Sequence, residues 1–176
     1  MSKTLVSALV FIMASGTTFA SNLVYHPKGN YYLIGTFGLY HPQSDTRLGS
    51  GPIANFGLGY NINNVVSIQG LFGWANIPDY TNNTDRNSTL SRVEAVAHWN
   101  TGHPLVPYAA IGFGLAHIRS SHFMADFGVG SEYFVSEHTA MTFDWRWIRQ
   151  TNNGQGDYLL TAGITYGFGG TQNIHN

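Results

Sequence analysis

Large apolar side chains recur at every second position along most of this chain, and this alternation constrains the fold more than any other feature. In residues 158–168, Leu160, Ala162 and Ile164 share one phase with aromatic residues, whereas the opposite phase is mostly Thr and Gly. A β-strand places successive side chains on opposite faces, so a period of two predicts strands and not helices. The pattern predicts eight strands, at residues 30–40, 52–61, 65–75, 89–99, 107–118, 122–135, 139–149 and 157–168.

The lengths of these strands and of their connections indicate a membrane-spanning barrel. Each strand has about the 9–11 residues that a tilted strand needs to cross a bilayer. The short connections are residues 61–64, 100–104 and 136–138. The longer, polar connections are residues 41–51 and 76–88. Short turns on one side and longer loops on the other are typical of outer-membrane barrels. We therefore predict an all-β, eight-stranded, antiparallel up-and-down transmembrane β-barrel, closed because an open edge in lipid would leave backbone groups unpaired.

The composition separates this barrel from a water-soluble one. Only 10% of the residues are charged, and the mean hydropathy is -0.08, whereas soluble proteins carry about 25% charged residues. A soluble barrel would carry its charges on the outward face, but here the larger face is apolar and aromatic. A net charge of -1 predicts no nucleic-acid partner. The absence of cysteine excludes disulfides and thiolate metal sites.

The N-terminus has the features of an export signal. Lys3 precedes an apolar run from Leu5 to Ala14, and Thr18-Phe19-Ala20 places small residues three and one before a cleavage point. The run is shorter than the ~20 residues of a membrane anchor. We expect residues 1–20 to be a signal peptide and residues 21–176 to form one barrel domain in the outer membrane of a Gram-negative cell.

The few charges within the strands fix which face points inward. Six of them lie opposite the aromatic face, and a lipid-facing Arg near the middle of the bilayer would cost roughly 2–4 kcal/mol. An unpaired ion in the lumen would also be costly, so we expect Arg146 to pair with at least one carboxylate. The predicted interior polar network comprises Arg92, Glu94, Asp126, Glu132, Asp144 and Arg146.

Aromatic residues near the strand ends are typical of interfacial girdles, where amphipathic rings lie at the level of the lipid headgroups. The predicted girdle comprises Tyr31, Tyr40, Tyr60, Trp74, Trp99, Tyr108, Tyr133, Trp147, Tyr158, Tyr166 and Phe168.

Several stretches of the chain resemble the OmpA-type transmembrane barrel. They are Asn55-Phe56-Gly57-Leu58-Gly59-Tyr60, Gly130-Ser131-Glu132-Tyr133, Phe143-Asp144-Trp145-Arg146-Trp147 and the terminal segment from Leu160 to Gly169. The resemblance covers residues 30–169 and implies the barrel fold, without the family's peptidoglycan-binding domain. It matches Glu132 to an interior carboxylate. Thr142 stands where the family has an interior Arg, a role for which Arg146 is the candidate replacement.

The end of the eighth strand also resembles the signal that the barrel-assembly machinery reads. The spacing of that signal is matched by Thr161, Gly163, Tyr166 and Phe168, although residues 170–176 follow before the C-terminus. This resemblance implies the assembly machinery as a partner during biogenesis.

Two other functions compete with a structural one. One tight loop brings together His117, Ser120, Ser121, His122 and Asp126. A base and a nucleophile in this cluster could form a lipid-modifying site. His117 and His122 could alternatively clamp a metal, but a third ligand is missing. A narrow pore through the interior charges is the other alternative, although eight strands enclose space that side chains nearly fill.

We expect a non-enzymatic outer-membrane barrel with a structural or surface-interaction role, a lumen plugged by side chains, and no cofactor or metal. The expected partners are outer-membrane lipids and, through loops 41–51 and 76–88, a surface ligand.

Overall fold

The structure, a computed structural model, describes residues 26–43, 48–81, 83–118, 120–151 and 156–169. The predicted signal peptide and residues 170–176 lie outside them. Within the described residues, no helix is long and apolar enough to cross a membrane. Eight strands follow in chain order: β1 Tyr31–His41, β2 Gly51–Asn61, β3 Val66–Asp79, β4 Thr84–His98, β5 Leu105–His117, β6 Ser121–Phe134, β7 Thr139–Gln150 and β8 Gly156–Phe168.

Each strand pairs antiparallel with its neighbours in sequence, and β1 pairs with β8 to close the barrel. The closing register runs from Tyr31 opposite Phe168 to His41 opposite Tyr158. The predicted closed eight-stranded antiparallel barrel is therefore confirmed. The short connections after β2, β4 and β6 lie at one end of the barrel, together with the segment that precedes β1; we call this the short-turn end.

The prediction of a polar loop at residues 76–88 is wrong. Strands β3 and β4 remain paired from Asn76 opposite Asn87 to Asp79 opposite Thr84, and residues 80–83 connect them. The alternation continues here with its polarity reversed, because Ile77 faces inward and is buried while the outward positions are polar. This reversal fits a hairpin that extends past the apolar band, since its outer face meets water. A search for apolar outward positions therefore does not recognise it as strand.

The outer surface of the barrel is apolar between the strand ends. Phe37 is 65% exposed and Ile111 is 66% exposed, although both are large hydrophobic residues in the middle of strands. The same exposed band also contains Leu33, Phe56, Phe72, Val93, Phe113, Phe127, Val129, Phe143, Leu160 and Ile164. A continuous apolar exterior of this kind suits contact with hydrocarbon.

Two of the predicted girdle residues, Tyr40 and Tyr108, lie inside the barrel, with 0% and 6% of their surface exposed. Each belongs to the inward phase of its strand, so proximity to a strand end was misleading. Most of the predicted girdle residues are exposed on the outer surface, namely Tyr31, Tyr60, Trp74, Trp99, Tyr133, Tyr166 and Phe168.

The lumen contains two layers of side chains. A polar layer occupies the middle and the short-turn end, and a buried apolar cluster lies towards the end with the longer connections. The cluster comprises Tyr40, Leu48, Ile53, Ala75, Ile77, Leu90, Ala116, Met124, Ile148 and Leu159. The phase opposite the large apolar residues is mostly Thr and Gly in residues 158–168, which indicates small side chains in the interior. Instead, large apolar side chains turn inward near the longer connections.

Candidate functional site: the polar lumen

Arg146 on β7 is the centre of the polar layer. Its Nε and Nη2 donate hydrogen bonds to the two carboxylate oxygens of Asp144 at 2.6 and 2.7 Å. Its Nη1 lies 3.0 Å from Glu94 Oε2 and 3.5 Å from Asp126 Oδ1. The Arg146 side chain is 2% exposed. The guanidinium therefore faces three carboxylates from three strands, and the bidentate pair with Asp144 is the strongest type of charge-assisted contact.

Two glycines make room for this network. A Cβ on Gly112 of β5 would lie 2.6 Å from Glu94 Cγ and 2.8 Å from Asp126 Oδ2. A Cβ on Gly128 of β6 would collide with the Arg146 side chain at Cδ. The small residues that alternate with aromatics in β5 and β6 thus provide the space in which the charged side chains meet.

The remaining contacts link this centre to the barrel wall. Arg92 Nε lies 3.2 Å from Glu94 Oε1, and Gln69 donates a hydrogen bond to Glu94 Oε2 at 2.7 Å. Tyr108 donates a hydrogen bond to Asp144 Oδ2 at 2.6 Å. All six residues predicted for the interior network are buried on the lumen side. Five of them form one group around Arg92 and Arg146, whereas Glu132 lies apart.

Glu132 contacts histidines instead of an arginine. Its Oε2 lies 2.8 Å from His26 Nε2 and 3.8 Å from His98 Nδ1. The two imidazole rings stack with centroids 3.7 Å apart. Within the described residues, one group of three side chains brings atoms that can bind a metal within 4.8 Å of one another; it comprises His26, His98 and Glu132. Sequence reasoning missed this group; His98 shares the inward phase of Arg92 and Glu94, but His26 precedes β1 and follows no strand pattern.

A third polar group lies beside the apolar cluster, towards the end of the barrel with the longer connections, and shares Tyr40 with that cluster. Tyr40 donates a hydrogen bond to Asp157 Oδ2 at 2.5 Å, and Gln150 donates one to the same oxygen at 2.6 Å. Asp157 is fully buried. The sequence prediction omitted this group, although Asp157 and Tyr40 both lie on the inward phase of their strands and could have been found by that signal.

The serine and histidine side chains at the β5–β6 connection form two exposed pairs. Ser120 Oγ lies 2.6 Å from His122 Nε2, and His117 Nδ1 lies 3.0 Å from Ser121 Oγ. Asp126 does not join them, because its carboxylate is buried in the lumen beside Arg146. The structure therefore does not bring Asp126 together with these serines and histidines, as the lipid-modifying site considered from the sequence requires. His117 and His122 each contact a serine, and neither belongs to the three-residue metal-ligand group.

The residues of the predicted assembly signal lie on both faces of β8. Thr161 is buried in the lumen, Gly163 is on the same face, and Tyr166 and Phe168 are exposed on the outer surface. Recognition of these residues by the assembly machinery stays a prediction.

The chain is similar to known membrane barrels in both sequence and structure. A family model described as "Outer membrane protein beta-barrel domain" matches residues 6–170. The chain belongs to this family. Its location is the bacterial outer membrane, and the predicted resemblance to outer-membrane barrels is confirmed. The family membership also explains why an apolar band surrounds a charged interior.

Solved structures share the fold at low sequence identity. Neisserial surface protein A is 18% identical, with a TM-score of 0.64, over 80% of this chain and 100% of that one. The N-terminal β-barrel domain of OprF from Pseudomonas aeruginosa is 18% identical, with a TM-score of 0.59, over 80% and 98%. Ail, the attachment invasion locus protein of Yersinia pestis, is 16% identical, with a TM-score of 0.51, over 79% and 99%. No curated protein matches the sequence.

Proposed function

We propose that this family member is a non-enzymatic outer-membrane barrel with a structural or surface-interaction role, whose lumen is plugged by its own side chains. The observation that carries the proposal is the filling of the lumen by two layers. The Arg146 network occupies the polar layer, and an apolar cluster that includes Met124 and Ile148 lies above it, both residues being fully buried. A solute would have to separate both layers to pass.

The free space beside the network is small. The cavity bordered by Arg146, Asp144 and Glu132 has a volume of about 30 Å³. A single water occupies roughly 10–15 Å³ by this measure, so the cavity accommodates about two waters and no hydrated solute. The charged side chains around it hold one another in place, because separating a buried ion pair is costly. This supports a plugged barrel over the narrow-pore alternative.

The β3–β4 hairpin is the favoured surface for contact with a partner. Its two strands have 14 and 15 residues, and β4 is the longest strand of the barrel. Tyr80 in the connecting turn is 70% exposed. Below the turn, Arg86 Nε lies 2.5 Å from Asp79 Oδ2, and Leu48 pairs with Asp79 through an isolated bridge. These contacts order the hairpin base and tie it to the β1–β2 connection, so the hairpin presents its tip on a supported structure.

The names of two similar structures support a surface role. One is a neisserial surface protein, and another is an attachment invasion locus protein. At 18% and 16% identity they share the fold, and a contact role for this chain rests on its own hairpin. Enzymatic action receives less support, because the Asp126 carboxylate belongs to the lumen network and not to the Ser/His pairs at the rim.

Electrical recording in planar lipid bilayers tests the plugged lumen. The purified chain should insert and give no stable conductance above the lipid background. Heat-modifiable migration of the protein recovered from the same bilayer-forming vesicles verifies that it is folded and inserted. A reproducible conductance that changes with Arg92→Ala would replace the structural proposal with the pore.

Exchange of the hairpin turn tests the contact role. Replacing residues 80–83 with Asn-Gly should preserve folding, because the buried Ile77, Asp79 and Ser88 all stay in place. Bacterial cells that display the chain should attach to cultured animal cells, and bacterial cells with the shortened turn should attach less. Equal adherence of both would remove the hairpin from the proposal. Turnover of lipid A in vesicles, abolished by His122→Ala, would support the enzyme alternative.

A further inference from the structure

Three potential ligand atoms converge at the short-turn end of the lumen. They are Nε2 of His26, Nδ1 of His98 and a carboxylate oxygen of Glu132, and they all lie within 4.8 Å of one another. The three residues are 3%, 4% and 4% exposed. His26 comes from the segment before β1, His98 from the end of β4 and Glu132 from β6, so the group joins three separate parts of the chain.

None of these three atoms has a hydrogen-bond partner among the described residues, although all are buried. The 2.8 Å approach of His26 Nε2 to Glu132 Oε2 is an ion-pair distance without hydrogen-bond geometry. Buried polar atoms are nearly always satisfied. Three buried atoms without hydrogen-bond partners, all within 4.8 Å of one another, therefore form a place where one occupant could satisfy all three.

The charge balance of the lumen indicates that this occupant is a cation. The six network residues comprise two guanidiniums and four carboxylates, a formal excess of two negative charges. Arg146 contacts Glu94, Asp126 and Asp144, whereas the ion-pair contacts of Glu132 within the described residues are both with histidines. Neutral imidazoles would leave the Glu132 carboxylate uncompensated at low exposure, which is unfavourable.

Neighbouring side chains orient the histidines for coordination. His98 Nε2 lies 2.9 Å from Ser67 Oγ, and Tyr32 OH donates a hydrogen bond to the same oxygen at 2.8 Å. If His98 donates its Nε2 hydrogen to Ser67, its Nδ1 carries the lone pair that a metal needs. Histidine ligands of metals commonly donate their other ring hydrogen to a neighbouring oxygen in this way. The rings of His26 and Phe134 make a T-shaped contact, with centroids 5.4 Å apart.

We propose that His26, His98 and Glu132 bind a divalent first-row transition-metal cation, with Zn²⁺ as the representative ion. Two imidazole nitrogens and one carboxylate oxygen are a ligand set for such ions, whereas Ca²⁺ and Mg²⁺ prefer oxygen alone. Zinc bonds of about 2.0–2.1 Å in tetrahedral geometry separate the ligand atoms by about 3.3 Å. The Glu132 oxygen lies 2.8 Å from His26 Nε2 and 3.8 Å from His98 Nδ1, and all three ligand atoms lie within 4.8 Å of one another. The two imidazole rings stack with centroids 3.7 Å apart, so coordination requires them to turn apart until both lone pairs meet at the metal.

His98 and Glu132 also border the cavity of about 30 Å³ in the polar layer, which is where a fourth ligand would come from. That cavity accommodates a water ligand. A bound cation would attach the segment before β1 to β4 and β6, and would cover the short-turn end of the lumen. This inference is independent of the proposed surface role, because it concerns the opposite end of the barrel.

Metal titration of the purified, untagged, folded chain tests the proposal. After treatment with a chelator, Zn²⁺ competition against a chromophoric chelator should show one tight site per chain, and Co²⁺ should give the visible absorption of a four-coordinate site. His26→Gln and Glu132→Gln should each weaken binding at least tenfold and abolish the Co²⁺ spectrum. The matched control is His103→Gln, a change of an exposed histidine in a turn at the same end, which should leave both unchanged.

The double variant His26→Gln/Glu132→Gln separates a built site from scattered surface histidines. If it binds Zn²⁺ as tightly as the unaltered chain, the proposal is wrong, and the His26–Glu132 contact is an ordinary ion pair with a protonated imidazole. If Glu132→Gln prevents folding, His26→Gln still decides the question because His26 lies outside the strands. Loss of binding in His103→Gln to the same extent would also overturn the assignment.

Discussion

Replacing Arg146 with Met is the most informative perturbation of the lumen. The change removes two hydrogen bonds to Asp144 and leaves Glu94 and Asp126 without their shared cation. Removing one partner from a buried ion pair costs about 3–5 kcal/mol. The cavity of about 30 Å³ beside Arg146 admits water that solvates part of the exposed charge, so we expect a loss near the lower end, about 3 kcal/mol.

Urea unfolding of the barrel in detergent, followed by tryptophan fluorescence, measures this loss. With a slope of roughly 1–3 kcal/mol per molar urea, a loss of about 3 kcal/mol lowers the midpoint by about 1–3 M. The matched control is Arg149→Met, three residues further along β7, where the side chain faces outward and is exposed. Such a surface change should alter the free energy of unfolding by no more than about 0.5 kcal/mol.

A double-mutant cycle separates the ion pair from lost packing. Adding Asp144→Asn to Arg146→Met removes one of the orphaned carboxylates, so the double variant should be more stable than the sum of the single changes predicts, by about 0.5–3 kcal/mol. Equal midpoints for Arg146→Met and Arg149→Met would refute the assignment of Arg146 as the centre of the network. Strict additivity would show that Asp144 and Arg146 are not coupled.

Two further predictions concern the lumen and the orientation of the barrel. Gly128→Val should destabilise folding by about 1–3 kcal/mol in the same urea assay, because its side chain would collide with Arg146; Gly35→Val, where an added Cβ meets nothing within 4 Å, should cost less, and the opposite ranking would contradict the packing described. The chain lacks cysteine, so Thr81→Cys in the β3–β4 turn should react with a membrane-impermeant maleimide on intact cells; labelling only after permeabilisation would show that this hairpin faces the periplasm.

The closed barrel was predictable because its physical cause acts on every strand. Lipid outside and a crowded lumen inside impose opposite requirements on alternate residues, and this pattern is visible in each segment. Alternation has a different meaning where the environment changes. Past the apolar band the outer face meets water, so Ile77 turns inward, and the predicted loop 76–88 is paired strand. Tyr40 and Tyr108 were misplaced because their position along the strand was given more weight than their phase.

The partners within the lumen were less predictable than the inward direction of the side chains. Residues from different strands come to the same level only through the register and tilt of the barrel, which alternation does not specify. Arg146 therefore has partners on β4, β6 and β7 that no sequence spacing identifies. Glu132 matched a family position, but its contact with His26 depends on a segment before β1 that has no periodic signal.

Chemical access to the lumen tests the central claim, the plugged barrel, most directly. Thr142 on β7 is 5% exposed and faces the polar layer, whereas Glu137 lies in the exposed turn at the same end. In folded protein in lipid vesicles open to reagent on both sides, a small hydrophilic methanethiosulfonate should modify Glu137→Cys rapidly and Thr142→Cys only after unfolding. Modification of both cysteines at similar rates in the folded barrel would mean that the lumen is open to solutes, contrary to this account.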